Sequence, residues 1–195
     1  MLLAIIADDL TGAADAAATF ATRGFATSIA FTAETASDLD VVVRSTESRD
    51  GDLESAVSAV DAATNALTRD SNGPTPAFIY KKIDSVLRGH PREEFFALLR
   101  VTGERRALLT PALPSEGRRT VLGRHFVNGT PLEASSFGGP GVTSDLARLF
   151  RNDEFGGVRL LDLATIRAGT GNIAGFLEAN MDGIVIADAE TDEDL

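Results

Sequence analysis

Cysteine is absent from the 195 residues, which removes disulfides, thiolate metal ligands and cysteine nucleophiles from consideration. Histidine occurs twice, as His90 and His125, too sparsely for a His-rich metal site. Lysine is confined to the adjacent Lys81 and Lys82, and the remaining basic residues are arginine. A codon preference for arginine explains the general excess but not the survival of this pair. The net charge of -11 argues against a broad nucleic-acid surface, which needs a basic excess to neutralise phosphates. No apolar run approaches the ~18 residues of a membrane span. The N-terminal MLLAII runs straight into acids, without the basic segment and long apolar stretch of a secretory signal. A cytoplasmic protein that binds neither membrane nor nucleic acid is the expectation. There is also no Gly-x-x-x-x-Gly-Lys-Ser/Thr loop, no Gly-x-Gly-x-x-Gly, no Gly-x-Ser-x-Gly elbow and no metal-ligand histidine pair. Gly138-Gly139-Pro140-Gly141 follows no apolar run, and its proline removes a donor from any phosphate cradle.

What is present is ordinary for a globular chain. The hydrophobic fraction is 44% and the charged fraction 24%, and the length suits one domain, or a small domain with an excursion, able to bury a real core. Short apolar runs alternate with helical spacing. Strands are predicted at Leu2–Ala7, Ala26–Phe31, Asp40–Ser45, Ala77–Lys82, Arg106–Thr110, Val158–Asp162 and Gly183–Ala187. Helices are predicted at Thr11 to about Arg23, Leu53–Leu67, Pro91–Arg100 (proline in its first turn), Ser144–Phe150 and Asn172–Asn180, with Asp70-Ser71-Asn72-Gly73-Pro74 as a loop. The Pro- and Gly-rich stretch 111–141 reads as a β-hairpin excursion, with Thr120–Leu122 and His125–Val127 as extended pieces and Asn128-Gly129 as a turn. The alternation implies an α/β fold, Rossmann-like and three-layered, with a mostly parallel sheet and helices on both faces. Thr191–Leu195 has the look of a helix start, so the expectation is a chain cut at a domain boundary.

In parallel sheets, ligands bind beyond the carboxyl ends of the strands. Three polar clusters fall there: Asp8-Asp9-Leu10-Thr11-Gly12, Ser45-Thr46-Glu47-Ser48-Arg49, and Lys82-Ile83-Asp84-Ser85-Val86-Leu87-Arg88-Gly89. In the first, a helix N-terminus suits an anion and Gly12 leaves room at the backbone. A helix cap accounts for one of the two aspartates, not for both. The adjacency of the two acids counts against an Asp-x-Asp phosphatase motif, whose carboxylates share one side; adjacent acids are expected to diverge. In the third cluster, Arg88 offers a planar fork for a carboxylate or phosphate. Asp84 can accept from sugar hydroxyls or act as a base, and only one of Lys81 and Lys82 can face the same side of the strand. The plainer alternatives are a salt-bridged surface loop here, ordinary loop residues at Ser48 and Arg49, and a polar residue on an edge hairpin at His125. The spacing supports a small, polar, anionic ligand.

Four segments carry a resemblance: ADDLTGAADAA at 7–17, STESRD at 45–50, YKKIDSVLRGHP at 80–91 and PALPSEGRRTVLGRHFVNGTPL at 111–132. In this order they resemble the four-carbon acid sugar kinase family, long catalogued as a domain of unknown function, and the final DAETDEDL resembles the end of that family's N-terminal domain. The resemblance implies that residues 1–195 form the sugar-acid-binding domain of a two-domain kinase acting on acids such as threonate or erythronate. It implies ATP and Mg²⁺ as cofactors, held mainly by a C-terminal domain, and a chain inactive on its own. The implied catalytic residues are Asp8, Asp9 and Asp84. The implied substrate-binding residues are Asp8, Asp9, Thr11, Arg49, Lys82, Asp84, Ser85, Arg88 and Gly89, with no metal ligands. Asp8 and Asp9 would contact substrate hydroxyls, Arg49 and Arg88 would hold the carboxylate or phosphoryl group, and Asp8, Asp9 or Asp84 would be the base. Implied partners are the sugar acid and the chain's own C-terminal domain; separately, an exposed apolar face where that domain docks could produce a homodimer. Ile83 and Val86 stand where the family has small hydroxyl residues, and His90 where it has an amide. Two further readings remain open: a non-catalytic small-anion-binding or regulatory module, and a metal-dependent hydrolase using Asp8 and Asp9.

Overall fold

The computed structural model describes residues 1–31, 38–68 and 75–195. The predicted loop at 70–74 lies outside them. The chain divides into two compact units, Met1–Gly103 and Glu104–Leu195.

The first unit contains β1 (Leu3–Ala7), α1 (Leu10–Ala21), β2 (Thr27–Ile29), β3 (Val41–Ser45), α2 (Leu53–Thr68), β4 (Phe78–Lys82) and α3 (Pro91–Thr102). Its sheet has the order β2-β3-β1-β4, with every pairing parallel. Side chains alternate across a strand. Ile5, Ala7, Val41 and Val43 bury one face beneath Ala13, Ala16 and Ala17 of α1, and the small residues let the helix sit close to the sheet. Ala4, Ile6 and Val42, all buried, point the other way, where α2 meets β1 and packs on α3. The helices cover both faces, as the sequence implies. Pro91 opens α3, and Gly103 closes it in the left-handed conformation at φ 76°, the arrangement each residue favours.

The second unit contains β5 (Arg106–Leu109), the strands β6 (Arg118–Val121), β7 (Arg124–Val127) and β8 (Thr130–Pro131), then α4 (Leu146–Leu149), β9 (Val158–Leu161), α5 (Leu163–Arg167), α6 (Thr170–Ala179) and β10 (Gly183–Ala187). The parallel sheet has the order β5-β10-β9 and the antiparallel one β6-β7-β8. Parallel strands thus occupy two sheets rather than one. Leu161, Val185 and Ala187 pack against Ile166 of α5 and Ile173, Phe176 and Leu177 of α6. The excursion is a meander. Its first turn, Leu122-Gly123, and its second, Asn128-Gly129, both have positive φ at each central residue. Asp188, just past β10, accepts from the N–H groups of Leu122 and Gly123 at 2.7 and 2.9 Å and pins the first turn. His125 is not on an edge: it lies on the central strand β7, fully buried, with Nδ1 3.2 Å from Thr120 Oγ1. At the expected helix start there is one 3₁₀ turn, Asp192–Asp194, closed by a capping box between Thr191 and Asp194. No helix among the described residues is long and apolar enough to cross a membrane.

Candidate functional site

The sheet of the first unit brings three polar clusters to one level. Ala7, the last residue of β1, is in register with Ser45 of β3 on one side and Lys82 of β4 on the other. The chain beyond β1 leads to a helix on one face, whereas β3 and β4 lead to helices on the other. Connections that part in this way leave a crevice at the carboxyl end of the central strand.

Backbone bonds tie the first two loops together. Thr46 N donates to Ala7 O at 2.9 Å, and Ser48 N and Arg49 N both donate to Asp8 O, at 2.9 and 3.2 Å. Arg49 is thereby aimed at the aspartates. Its Nε and Nη2 donate to Oδ2 and Oδ1 of Asp8 at 2.9 and 2.8 Å, and Nη1 reaches Asp9 Oδ2 and lies 3.9 Å from Asp84 Oδ1. Asp9 also caps α1 by accepting from Gly12 N at 2.8 Å, so one of the adjacent acids is a helix cap and the other a buried anchor; contrary to the expectation that they diverge, both converge on the Arg49 guanidinium. Asp8 is 4% exposed. Burial pulls the Arg49 guanidinium down, but its hydrogen bonds to Asp8 and the charges of Asp8, Asp84 and Asp9 outweigh this and hold it above its ordinary value.

The third loop folds around Asp84, which is buried. Its Oδ2 accepts from Val86 N and Arg88 N at 3.2 and 3.1 Å. Arg88 closes on it with a second fork, Nε to Oδ2 at 3.0 Å and Nη2 to Oδ1 at 2.8 Å. Burial pushes the Asp84 carboxyl up, while the hydrogen bonds and charge of Arg88, with help from Arg49, more than reverse this and hold it below the ordinary carboxylate range. The Arg88 side chain is itself 57% exposed, and its pKa is raised by its bonds to Asp84. Between the two residues, Leu87 takes φ 60°, an unusual conformation for a branched side chain.

Gly89, at φ +78°, lies against Arg49: a Cβ there would meet Arg49 O at 3.1 Å and Cα at 3.2 Å. A Cβ on Gly12 would sit 2.7 Å from Asp9 Oδ1 and 3.5 Å from Lys82 Nζ, so these two groups approach the same spot above the first turn of α1. Lys82 Nζ donates to Ile83 O at 2.9 Å. Thr11 is exposed in that first turn, and Ser85 is half-buried beside Asp84. The sequence-derived set is therefore gathered at one end of one sheet, with Asp8, Asp9, Arg49, Asp84 and Arg88 in a single ionic array.

Lys81 faces away from it. Its Nζ lies 2.7 Å from Glu94 Oε2, a Coulombic contact without hydrogen-bond alignment on that oxygen. Glu94 was not singled out from sequence; its only signal is a charge on the apolar stripe of α3. His90 Nε2 contacts Gly51 O at 2.8 Å. Among the described residues no group of three or more His, Asp or Glu side chains is arranged to hold a metal ion, and Asp8, Asp9 and Asp84 are committed to arginines.

The fold and this array define an α/β domain with a charged, polar site at its strand ends. The chain belongs to the family described as the sugar-binding N-terminal domain, whose model matches residues 3–195. It is 37% identical over 202 residues to a D-threonate kinase of Cupriavidus necator, matching 98% of this chain and 46% of that protein. It is 32% identical over 204 residues to a D-erythronate kinase of Heliobacterium modesticaldum, again matching 98% of this chain and 46% of that protein. A crystal structure of a domain of unknown function from Bordetella bronchiseptica, a domain-swapped dimer with bound citrate, superposes with a TM-score of 0.81 at 27% identity, covering 100% of this chain and 48% of that one. The chain spans about half the length of the curated relatives it matches.

Proposed function

We propose that this chain is the sugar-acid-binding part of an ATP-dependent kinase that phosphorylates four-carbon acid sugars such as threonate or erythronate. The observation that carries the reading is the pair of forked Arg–Asp contacts, Arg49 with Asp8 and Arg88 with Asp84, converging on the strand ends of a chain whose relatives are named for such kinases. The roles divide by exposure. Asp8 and Arg49 are the frame. Arg88, largely exposed, presents its remaining N–H groups to the substrate carboxylate, and Lys82 adds a positive charge beside it. Asp9, whose side chain is 22% exposed and whose oxygens each accept one bond, accepts from a substrate hydroxyl and is the proposed base. Asp84, held ionised, keeps Arg88 in place. Thr11, Ser85 and Gly89 complete the rim. Phosphoryl transfer is mostly positioning and charge neutralisation, which such an array supplies on the acceptor side. ATP and Mg²⁺ belong, in this proposal, to other parts of a kinase about twice this length. Homodimerisation is proposed from the dimeric Bordetella neighbour, with sedimentation as its check.

Calorimetric titration with a panel of four-carbon sugar acids tests the reading. Saturable binding of one acid, weakened about tenfold or more in Arg88→Ala, is expected, a loss of about 1.4 kcal/mol. A folded chain that binds none of them overturns it.

A further inference from the structure

We propose that Glu94 is a positioning residue for the strand-end site, acting on Arg49 through Ser48. Glu94 lies in the first turn of α3, where an exposed acid would serve the helix dipole equally well. Its side chain is instead 1% exposed and faces Lys81, 5% exposed. Removing two charges from water is costly and is repaid only by good pairing and additional hydrogen bonds. The additional bond is informative: Ser48 Oγ donates to Glu94 Oε1 at 2.6 Å. Ser48 Oγ is in turn 2.7 Å from Thr46 Oγ1, which is 2.9 Å from Ala7 O. Each hydroxyl carries one proton: Thr46 Oγ1 donates to Ala7 O and Ser48 Oγ donates to Glu94 Oε1, so each of the two touching hydroxyls is anchored to a neighbouring element.

This buried chain touches each connection that builds the site. Lys81 is on β4, one residue before the last. Thr46 and Ser48 belong to the loop after β3. Ala7 ends β1. Ser48 and Arg49 are neighbours, and their N–H groups share Asp8 O, so a displacement of Ser48 displaces the root of the Arg49 side chain and the backbone of Asp8 together. Glu47, between Thr46 and Ser48, takes φ 49°. The loop is turned inward at some conformational cost, and the carboxylate of Glu94 holds it there. The ion pair with Lys81 fixes that carboxylate in place. This gives the paired lysines separate tasks: Lys82 on the ligand side, Lys81 on the anchoring side.

The ligand half of the test rests on the sugar-acid reading; the other half does not need a ligand. Three variants of the full chain are compared with wild type: Ser48→Ala, Lys81→Met with Glu94→Gln, and Lys81→Met with Glu94→Ala. Both double variants lose the ion pair, but only the glutamine keeps an acceptor for Ser48 Oγ. Two quantities are read: hydrogen exchange of the Arg49 Nε–H by nitrogen-15 NMR, and affinity for the sugar acid that binds wild type. Ser48→Ala should speed Arg49 exchange and weaken binding, each about tenfold, in a chain that circular dichroism shows to be folded. The glutamine double variant should retain protection and affinity that the alanine one loses. Unchanged exchange in Ser48→Ala, or equal behaviour of the double variants, overturns the proposal. If wild type binds no sugar acid, the functional reading fails by itself, and Arg49 exchange still decides the role of Glu94.

Discussion

Arg49 grips Asp8 in parallel, Nε to Oδ2 at 2.9 Å and Nη2 to Oδ1 at 2.8 Å, while the backbone of Arg49 donates to Asp8 O at 3.2 Å. Side chain and main chain together tie the ends of two neighbouring strands. A planar fork cannot be reproduced by an ammonium, so Arg49→Lys keeps the charge and loses the geometry. Breaking a buried pair strands the remaining carboxylate and costs roughly 3 kcal/mol. For Arg49→Lys a smaller loss of about 1–2 kcal/mol in urea unfolding is expected, since charge compensation survives, together with loss of sugar-acid binding. A lysine variant with unimpaired binding would mean that charge alone, not the fork, matters here.

Asp84 sets a pH dependence. Its folded-state pKa lies below its unfolded one, with Arg88 and Arg49 outweighing burial. A depressed carboxylate contributes stability that is fully present above its unfolded pKa, about 3.9, and disappears as pH falls through the folded value. Asparagine at 84 cannot titrate. The stability difference between wild type and Asp84→Asn should therefore be constant above about pH 5 and shrink below about pH 4. Chemical denaturation from pH 3 to pH 7 reads it directly. A difference that stays constant through the acid range would show that the Arg88 fork does not favour the ionised form.

In the second unit, Leu122 and Gly123 form the turn between β6 and β7 at φ 51° and 69°. A two-residue turn with both φ positive favours Asn-Gly, the pair found in the next turn at Asn128-Gly129. Leucine in the left-handed region costs about 1 kcal/mol, and the Leu122 side chain is 73% exposed, so packing returns little. Leu122→Asn should raise stability by about 0.5–1 kcal/mol, with the backbone bond from residue 122 to Asp188 retained. Thermal and urea unfolding check it. Destabilisation would reveal a packing role for Leu122.

The site residues were legible where polar clusters interrupt apolar runs: Asp8 after Ile5-Ile6-Ala7, Arg49 after Val41-Val42-Val43, Asp84 and Arg88 after Lys82. Parallel strands then do the rest, since ligands collect at their carboxyl ends. What stayed hidden depends on partners remote in sequence. Glu94 sits in PREEFF, where an acid in a first helical turn reads as solvent-facing; only the fold shows Lys81 and Ser48 converging on it. The division of the parallel strands between two sheets was invisible for the same reason, because apolar runs do not say which strand neighbours which. Helix α5 has five residues, too few for a periodic signal, and its Asp162 cap looked like a strand end. Leu87 at φ 60° runs against its own preference, as loop residues held by a binding site do.

Gly89 and Gly103 provide an internally controlled test of whether the third loop must touch Arg49. Both have left-handed backbones, at φ +78° and +76°, so alanine at either pays a similar conformational cost of about 1–2 kcal/mol. They differ in what the added methyl meets. At Gly103 nothing lies within 4 Å, whereas at Gly89 the backbone of Arg49 lies at 3.1 and 3.2 Å and cannot yield as a flexible side-chain end would. Gly103→Ala should lose stability and keep full sugar-acid affinity. Gly89→Ala should lose more stability and also weaken binding, because relieving the contact moves Arg49 from Asp8 or Arg88 from the crevice. Side-by-side urea unfolding and calorimetry separate the two effects. If both variants show the same stability loss and neither changes affinity, the close approach of Gly89 to Arg49 has no part in the site, and the third loop acts through Asp84 and Arg88 alone.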